Sequence, residues 1–232
     1  MVHQVIETVP IKEKLVVVGN GMAAMRAVEE LLKFAPDLYD ITVFGAEPCG
    51  NYNRILLSPV LAGEKTFDEI MLNTEQWYVD NAITLYTGKE ITEIDRRNRM
   101  VKASDGTCVP YDRLLLATGS HPIVLPIPGN DLTGVVSFRN IEDVRTMIAA
   151  AGEKTGEKTR AVVLGGGLLG LEAADSLMKQ SMDVTVVHLM ETLMERQLDE
   201  VAGIMLRRSL EERGLHFVVS AQTEAILGEE RV

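Results

Sequence analysis

The sequence has few cysteines, an excess of acidic over basic residues, and no long hydrophobic run. Only two of its 232 residues are cysteines. Cys49 and Cys108 form no CxxC pair and no Cys/His cluster with metal-ligand spacing, so neither a redox disulfide nor a metal site is predicted. The net charge of −11 disfavours nucleic acid and anionic membranes as partners. No apolar stretch is long enough for a transmembrane helix, and residues 1–13 lack the layout of a signal peptide, so the cytoplasm is the expected location.

Glycine, by contrast, forms two similar motifs. Residues 19–24 read GNGMAA, and residues 165–170 read GGGLLG. Each motif follows a short apolar run and precedes a segment with helical spacing of apolar residues, which is the context in which GxGxxG indicates dinucleotide binding. Two copies in one chain predict two bound dinucleotides, and therefore electron transfer between them.

The order strand, glycine turn, helix, strand occurs twice along the chain. We predict an α/β protein with two Rossmann-like units that have parallel sheets, and a small antiparallel meander in the first. The unit boundary is expected after Gly119, with the first unit at 1–119 and the second at 120–232. The predicted helices are 21–34, 141–151 (capped by Asn140), 168–180 and 199–213. The predicted strands are 14–18, 41–44, 83–86, 90–94, 100–103, 107–109, 113–117, 161–164, 183–187, 215–219 and 223–227.

Each position of the glycine motif has a physical task. In the first motif Gly19 makes the tight turn and Gly21 lets the backbone approach a pyrophosphate, while Ala24 takes the third, small position where helix and strand pack closely. The pyrophosphate is expected at the helix N-terminus, where unpaired N–H groups and the helix dipole meet negative charge. The corresponding residues of the second motif are Gly165, Gly167 and Gly170.

The acidic residue that normally reads the adenosine ribose follows the second strand of such a unit. In the first unit that position is Gly45, and Glu47 is either the ribose ligand or a surface glutamate. In the second unit the position is His188, from which Glu191 is the nearest carboxylate. The choice between NADH and NADPH stays open, with NADH favoured because no basic pair follows the strand. Glu172 lies either near the nicotinamide or on the helix surface.

Three segments carry a resemblance to a known family. They are residues 51–63 (NYNRILLSPVLAG), 116–119 (LATG) and 187–199 (VHLMETLMERQLD). Together with the two glycine motifs they resemble the FAD-dependent pyridine nucleotide–disulfide oxidoreductase superfamily. Within it, they are similar to the flavoprotein part of assimilatory nitrite reductase large subunits. Rubredoxin and ferredoxin reductases are close relatives in this comparison.

The resemblance implies that the first unit binds FAD and the second binds NAD(P)H. It places Arg54 and Ser58 along the flavin, and Ala117, Thr118 and Gly119 beside the bound FAD. Electrons would pass from NAD(P)H to FAD, and on to a siroheme/iron–sulfur centre or a small carrier such as rubredoxin, because no CxxxxC disulfide is present to receive them. The flavin carries the chemistry, so no catalytic acid, base or nucleophile is predicted. The resemblance also leaves room for a homodimer.

The family pattern continues beyond Val232, with a segment that completes the FAD-binding unit and an interface domain. The sequence therefore predicts an incomplete FAD-binding unit and a second unit cut short at its C-terminus. Alternatives are a rubredoxin or ferredoxin reductase-like electron transfer protein, a truncated module that binds dinucleotides without turnover, and a simple NAD-dependent dehydrogenase. The polar segment 152–158 lacks GxxxxGK[ST] spacing and is expected to be a surface loop.

Overall fold

The computed structural model describes residues 12–152 and 159–232. The sequence expectations for residues 1–11 and for the loop 153–158 lie outside the described residues. The described chain forms two compact units. The first contains the residues up to Asn53 together with Met71–Ser120, and the second contains Arg54–Ile70 and His121–Val232.

The strands and helices alternate along most of the chain. The strands are β1 (Glu13–Val18), β2 (Tyr39–Phe44), β3 (Thr84–Tyr86), β4 (Ile91–Asp95), β5 (Met100–Ala103), β6 (Cys108–Pro110), β7 (Arg113–Leu116), β8 (Arg160–Leu164), β9 (Asp183–Val187) and β10 (His216–Val218). The helices are α1 (Met22–Phe34), α2 (Leu57–Leu61), α3 (Glu75–Asp80), α4 (Ile141–Gly152), α5 (Leu168–Lys179) and α6 (Glu200–Glu212). Among the residues that the structure describes, no helix has the length and apolar composition needed to span a bilayer.

A parallel sheet of order β3-β2-β1-β7 forms the centre of the first unit. Its central strand β1 is buried on both faces, as expected for a parallel strand of continuous apolar sequence. Val17 packs with Met25 of α1 on one face. Val16 packs with Val101 of β5 on the other face, and β5 is the middle strand of the antiparallel sheet β4-β5-β6. The predicted parallel sheet and antiparallel meander are both confirmed.

The second unit contains a parallel sheet of order β10-β9-β8. Val184 and Val186 of β9 are buried, as are Ala174 and Leu177 of α5. Helix α2 packs against both α4 and α5. Helix α5 also packs against β8 and β9, and the second glycine motif joins β8 to its start.

Most predicted elements are present within two residues of their expected ends. The cap of α4 is confirmed, since Asn140 Oδ1 accepts from the N–H of Asp143 at 2.8 Å. The predicted strand at 223–227 is wrong, because no strand covers these residues. The amide of Ile226 donates to the carbonyl of Pro128 at 2.8 Å, so this segment bonds to the irregular chain before α4 instead of extending a sheet.

Candidate functional site

The first glycine turn connects β1 to α1 and can be made only by glycine. Gly19 has φ +113°, and a Cβ built on it would lie 2.1 Å from the carbonyl oxygen of Ala117. Its amide donates to the carbonyl of Phe44 at 2.8 Å. The same Cβ would lie 3.2 Å from the amide nitrogen of Thr118, and Gly119 follows with φ +77°. The structure thus places Ala117 and Thr118, two of the residues predicted to lie beside the FAD, directly against the first glycine turn.

Gly21 leaves the N-terminus of α1 open. It is the N-cap of the helix with extended backbone geometry, and no side chain caps the helix there. A Cβ at Gly21 would have no heavy atom within 4 Å. Ala24, one turn into the helix, is almost fully buried, at 1% exposure. The first unit therefore has an open approach to the helix amides above a closely packed third position.

The second turn, between β8 and α5, repeats this geometry with three glycines. Gly165 has φ +118°, and Gly167 is the N-cap of α5 with no side-chain cap. A Cβ at Gly167 would meet nothing within 4 Å, whereas one at Gly170 would lie 2.0 Å from the carbonyl oxygen of Gly165. The three positions have the geometry that the three predicted tasks require: a left-handed turn, an open approach, and close packing of helix on turn.

The N-termini of α1 and α5 differ from those of α3, α4 and α6. Neither α1 nor α5 has an acidic residue in its first turn or a side-chain cap. The other three helices have first-turn acids and capping side chains, which are Thr74, Asn140 and Asp199. Helix N-terminal amides bind anions, and a cap or a nearby carboxylate would compete for them. The two glycine turns therefore fit the pyrophosphates of FAD and NAD(P)H.

Glu47, the candidate ribose ligand of the first unit, is held by a tyrosine. The hydroxyl of Tyr52 donates to Glu47 Oε2 at 2.7 Å. Gly45, at the end of β2, has no side chain, and a Cβ there would lie 3.0 Å from Cβ of Asn20. The strand-end position is thus closed by the middle residue of the glycine turn. The ribose role of Glu47 stays a prediction.

A polar network that the sequence analysis missed supports the first turn. The buried Tyr78 donates from its hydroxyl to Oδ1 of Asn20 at 3.0 Å. Asn51 Nδ2 donates to Asn73 Oδ1 at 2.8 Å, and Asn73 Nδ2 donates to Glu29 of α1 at 3.1 Å. Burial raises the pKa of Tyr78, and hydrogen bonds to its oxygen partly oppose that rise. Asn20 is visible inside the motif, but its partner is 58 residues away in the chain, so no local pattern indicated it.

Ser58 and Glu172 are neighbours in the second unit. Ser58 Oγ donates to Glu172 Oε2 at 2.8 Å, and Ser176 Oγ lies 3.0 Å from the carbonyl oxygen of Ser58. Arg54 donates to the carbonyl of Arg139. The structure thus places Arg54 and Ser58 in the same compact unit as the second glycine turn. Their predicted position along the flavin stays a prediction.

Three comparisons with known proteins agree with this geometry. Residues 13–232 match the family described as pyridine nucleotide-disulphide oxidoreductase. The chain is 51% identical to a nitrite reductase [NAD(P)H] of Bacillus subtilis (strain 168), covering 95% of this chain and 27% of that protein. It is 45% identical to the assimilatory nitrate reductase electron transfer subunit of the same organism, covering 94% of this chain and 28% of that protein. The chain therefore spans about a quarter of the length of these two relatives.

Solved structures show the same fold. An NAD-dependent persulfide reductase from A. fulgidus matches with a TM-score of 0.86 and 28% identity, covering 94% of this chain and 41% of that one. NADH:rubredoxin oxidoreductase from Clostridium acetobutylicum matches with a TM-score of 0.80 and 26% identity, covering 92% of this chain and 54% of that one. The family resemblance and the α/β fold predicted from the sequence are confirmed. The prediction of FAD and NAD(P)H as cofactors is supported by the family match and the turn geometry.

Proposed function

The chain belongs to the pyridine nucleotide-disulphide oxidoreductase family, and we propose that it is the NAD(P)H-dependent flavoprotein part of a nitrite reductase-type enzyme. In this proposal residues 1–119 bind FAD and residues 120–232 bind NAD(P)H, a division that differs from the two compact units in the place of Arg54–Ile70. The observation that carries the proposal is the pair of glycine turns. Each turn exposes helix amides at its second glycine, Gly21 or Gly167, where an added Cβ would meet no heavy atom within 4 Å.

The residues of the chain bind and orient, while the chemistry belongs to the cofactor. When bound, FAD would supply the redox chemistry between NAD(P)H and the acceptor. The amides that follow Gly21 and Gly167 hold the two pyrophosphates. Glu47, oriented by the hydroxyl of Tyr52, binds the adenosine ribose of FAD. Ala117 and the two residues after it line the FAD side of the first turn.

Glu172 is the side chain that we assign to the nicotinamide end of the second site. It lies on α5, two residues after the third glycine of the motif, and Ser58 fixes one of its carboxylate oxygens at 2.8 Å. An anchored carboxylate keeps one orientation and leaves its other oxygen available. This assignment supports binding and alignment of the nicotinamide and gives Glu172 no role in proton transfer.

The proposal is tested by the absorbance spectrum of the purified chain. We expect a yellow protein, or one that becomes yellow with added FAD, whose flavin band is bleached by anaerobic addition of NADH or NADPH. A colourless protein that does not take up FAD would contradict the flavoprotein assignment. Stabilisation by ADP-ribose and FAD without oxidation of NADH would favour the module that binds without turnover; about 2.7 kcal/mol is expected at a ligand concentration 100 times Kd.

The electron acceptor defines the second candidate function. Similarity to an electron transfer subunit and to a rubredoxin oxidoreductase supports delivery to a separate carrier as the alternative to delivery to a siroheme/iron–sulfur region. NADH-dependent reduction of rubredoxin, followed at the absorbance band of its iron, separates the two. We place this activity in the cytoplasm and leave a homodimer as a proposal for sedimentation measurements.

A further inference from the structure

His188 fills the space between the end of β9 and the second glycine turn. Its ring is buried, with 8% exposure. Nδ1 accepts a hydrogen bond from the N–H of Gly166 at 3.1 Å. Nε2 lies 3.2 Å from Oε2 of Glu195 on the opposite side of the ring. Both ring nitrogens are therefore used inside the protein.

The two contacts define which ring nitrogen carries the proton. A backbone N–H can only donate, so Nδ1 must offer its lone pair to Gly166. A neutral imidazole with Nδ1 unprotonated carries its proton on Nε2, which then donates to the carboxylate of Glu195. This is the tautomer that satisfies both contacts at once. In functional histidines, a hydrogen bond from one ring nitrogen to a carboxylate commonly sets the tautomer of the ring and so defines the contact that the other nitrogen makes.

Gly166 is held from both ends of its residue. Its N–H binds His188, and its carbonyl accepts from the amide of Met194 at 3.1 Å. A Cβ at this position would lie 2.7 Å from Cδ2 of Leu193 and 2.9 Å from Cγ of His188. The segment from His188 to Glu195 thus encloses the middle residue of the turn, and glycine is required there because the histidine ring and the leucine take the space of a side chain.

The first unit solves the same packing problem in the reverse way. There the middle residue of the turn, Asn20, has the side chain, and the strand-end residue, Gly45, has none. In the second unit the turn residue Gly166 has no side chain, and the strand-end residue His188 fills the gap. One side chain occupies this space in each unit. Asn20 accepts a hydrogen bond from Tyr78 in the first unit, and His188 donates one to Glu195 in the second.

We propose that His188 is a positioning residue of the nicotinamide-dinucleotide site, which acts by holding the Gly166 amide and does not itself contact the cofactor. The inference rests on the proposed function, in that the second turn binds NAD(P)H. Since both nitrogens of the ring are engaged by the protein, His188 does not read the ribose. Loss of its bond to Gly166 weakens NADH, NADPH and ADP-ribose alike, because all three share the pyrophosphate that the turn binds.

Two substitutions separate the two nitrogens of the ring. In His188→Asn the side-chain oxygen takes the place of Nδ1, so the bond to Gly166 is kept and the bond to Glu195 is lost. In His188→Gln the amide group takes the place of Nε2, so the contact with Glu195 is kept and the bond to Gly166 is lost. A third variant, Glu195→Gln, still accepts from Nε2 and serves as a control for the removal of charge.

The experiment measures ADP-ribose binding by titration calorimetry on the full chain, with urea unfolding to establish that each variant is folded. We expect His188→Asn and Glu195→Gln to bind within about threefold of the unsubstituted chain, and His188→Gln to bind about tenfold more weakly, the equivalent of one hydrogen bond. The loss should be the same for NAD⁺ and NADP⁺. Spectra of ¹⁵N-labelled histidine should show the proton of His188 on Nε2.

Each outcome bears on one of the two proposals. Equal binding by His188→Gln and the unsubstituted chain would overturn the positioning role, as would an equal loss in His188→Asn and His188→Gln. A loss confined to NADP⁺ or to NAD⁺ would overturn it too, by showing that the ring reads the ribose. Failure of the unsubstituted chain to bind ADP-ribose would overturn the nucleotide assignment of the second unit, and this inference with it.

Discussion

Glycine has different tasks at different positions of the two turns, and the surroundings of each show which. At Gly19 and Gly170 an added Cβ would lie 2.1 Å and 2.0 Å from a backbone carbonyl oxygen. At Gly21 and Gly167 it would meet nothing within 4 Å. At the first pair an added side chain would collide with the backbone of the protein, whereas at the second pair it would collide with nothing and would only cover the helix amides to which we propose that the pyrophosphates bind.

Alanine substitutions should separate these two tasks in the second unit. Gly167→Ala has extended backbone geometry that any residue adopts, so we expect a loss of less than about 1 kcal/mol in the free energy of unfolding. Its methyl group would obstruct the pyrophosphate and weaken ADP-ribose binding about tenfold, or 1.4 kcal/mol. Gly170→Ala forces the helix off the turn, and we expect a loss of at least about 2 kcal/mol. Urea unfolding and calorimetry of the two variants provide the comparison; similar stability losses would contradict it.

Tyr78→Phe tests the network behind the first turn. Removing the hydroxyl leaves Oδ1 of the partly buried Asn20 without this donor, which should cost about 1–2 kcal/mol at pH 7. The pKa of Tyr78 is raised above the ordinary 10.0 in the folded protein. As the pH rises past 10, the unfolded chain loses this proton before the folded protein does. The free energy of unfolding of the unsubstituted protein therefore falls, whereas the phenylalanine variant has no proton to lose at this position.

The stability difference between the two proteins should therefore become smaller above pH 10. Urea unfolding from pH 7 to 11 measures it. Tyr39→Phe on β2 is the control, and we expect it to change the free energy of unfolding by less than about 0.5 kcal/mol. A stability difference for Tyr78→Phe that does not vary with pH would argue against a buried phenol.

At the scale of helices, the N-termini of α1 and α5, and that of the five-residue α2, differ from the capped N-termini of the other helices. Helices α1 and α5 begin without a side-chain cap, whereas Asp199 caps α6 by accepting from the N–H of Ala202 at 2.8 Å. A helix N-terminus without a side-chain cap costs little free energy when it is open to water, because water or a ligand satisfies its amides. We therefore expect the free energy of unfolding to fall when a capping side chain such as that of Asp199 is removed, and to change less when an N-cap glycine is replaced.

Asp199→Ala should lower the free energy of unfolding by about 1 kcal/mol. Asp199→Asn retains an oxygen that accepts from Ala202 and should stay within a few tenths of the original value, or about 0.3 kcal/mol. Thermal and urea unfolding measure both variants. ADP-ribose binding should be unchanged in each, since α6 is not one of the glycine-turn helices; a parallel loss of binding would contradict the distinction.

The packing of α2 against α5 depends on the pair Ser58 and Glu172. A double-mutant cycle of Ser58→Ala and Glu172→Ala should give a coupling energy of about 0.5–1.5 kcal/mol from urea unfolding. The pair Glu64 and Lys179 joins the same two parts of the unit at 2.7 Å, but both side chains are largely solvent-exposed. Its cycle should give the smaller coupling, because water screens exposed ion pairs. A larger coupling energy for Glu64 and Lys179 than for Ser58 and Glu172 would contradict the structural role given to Ser58 and Glu172.

At the scale of the whole molecule, the chain belongs to a family named for disulfide chemistry without having a disulfide of its own. Neither of its two cysteines, Cys49 and Cys108, forms one among the described residues. Over residues 12–152 and 159–232, no group of three His, Cys, Asp or Glu side chains is placed to hold a metal ion. The acceptor of the proposed electron transfer stays a proposal.

Cys49→Ser combined with Cys108→Ser tests this route. We expect NADH oxidation with an artificial one-electron acceptor to stay within about twofold of the unsubstituted protein, because the cofactor carries the electrons and the cysteines do not. Gly21→Ala, which obstructs the FAD turn, is the comparison and should lose flavin. Loss of NADH oxidation in a double variant that retains its flavin would assign a redox role to a cysteine.

The sequence by itself determined most of the strands and helices and the positions of the two glycine turns. These properties depend on apolar periodicity and on φ angles that only glycine adopts readily, and both are local to a few residues. The error at 223–227 has the opposite origin, since the amide of Ile226 bonds to Pro128, nearly a hundred residues earlier.

Only the tertiary structure decided what surrounds each turn. The bond from Tyr78 to Asn20, the position of Ser58 beside Glu172, and the ring of His188 against Gly166 all join residues that are distant in the chain. A hydrogen bond of this kind depends on where two elements meet, and no periodicity or spacing in a single sequence encodes that distance. The sequence thus located the two glycine turns at which we propose that the dinucleotides bind, and the packing determined which side chains hold the turns in position.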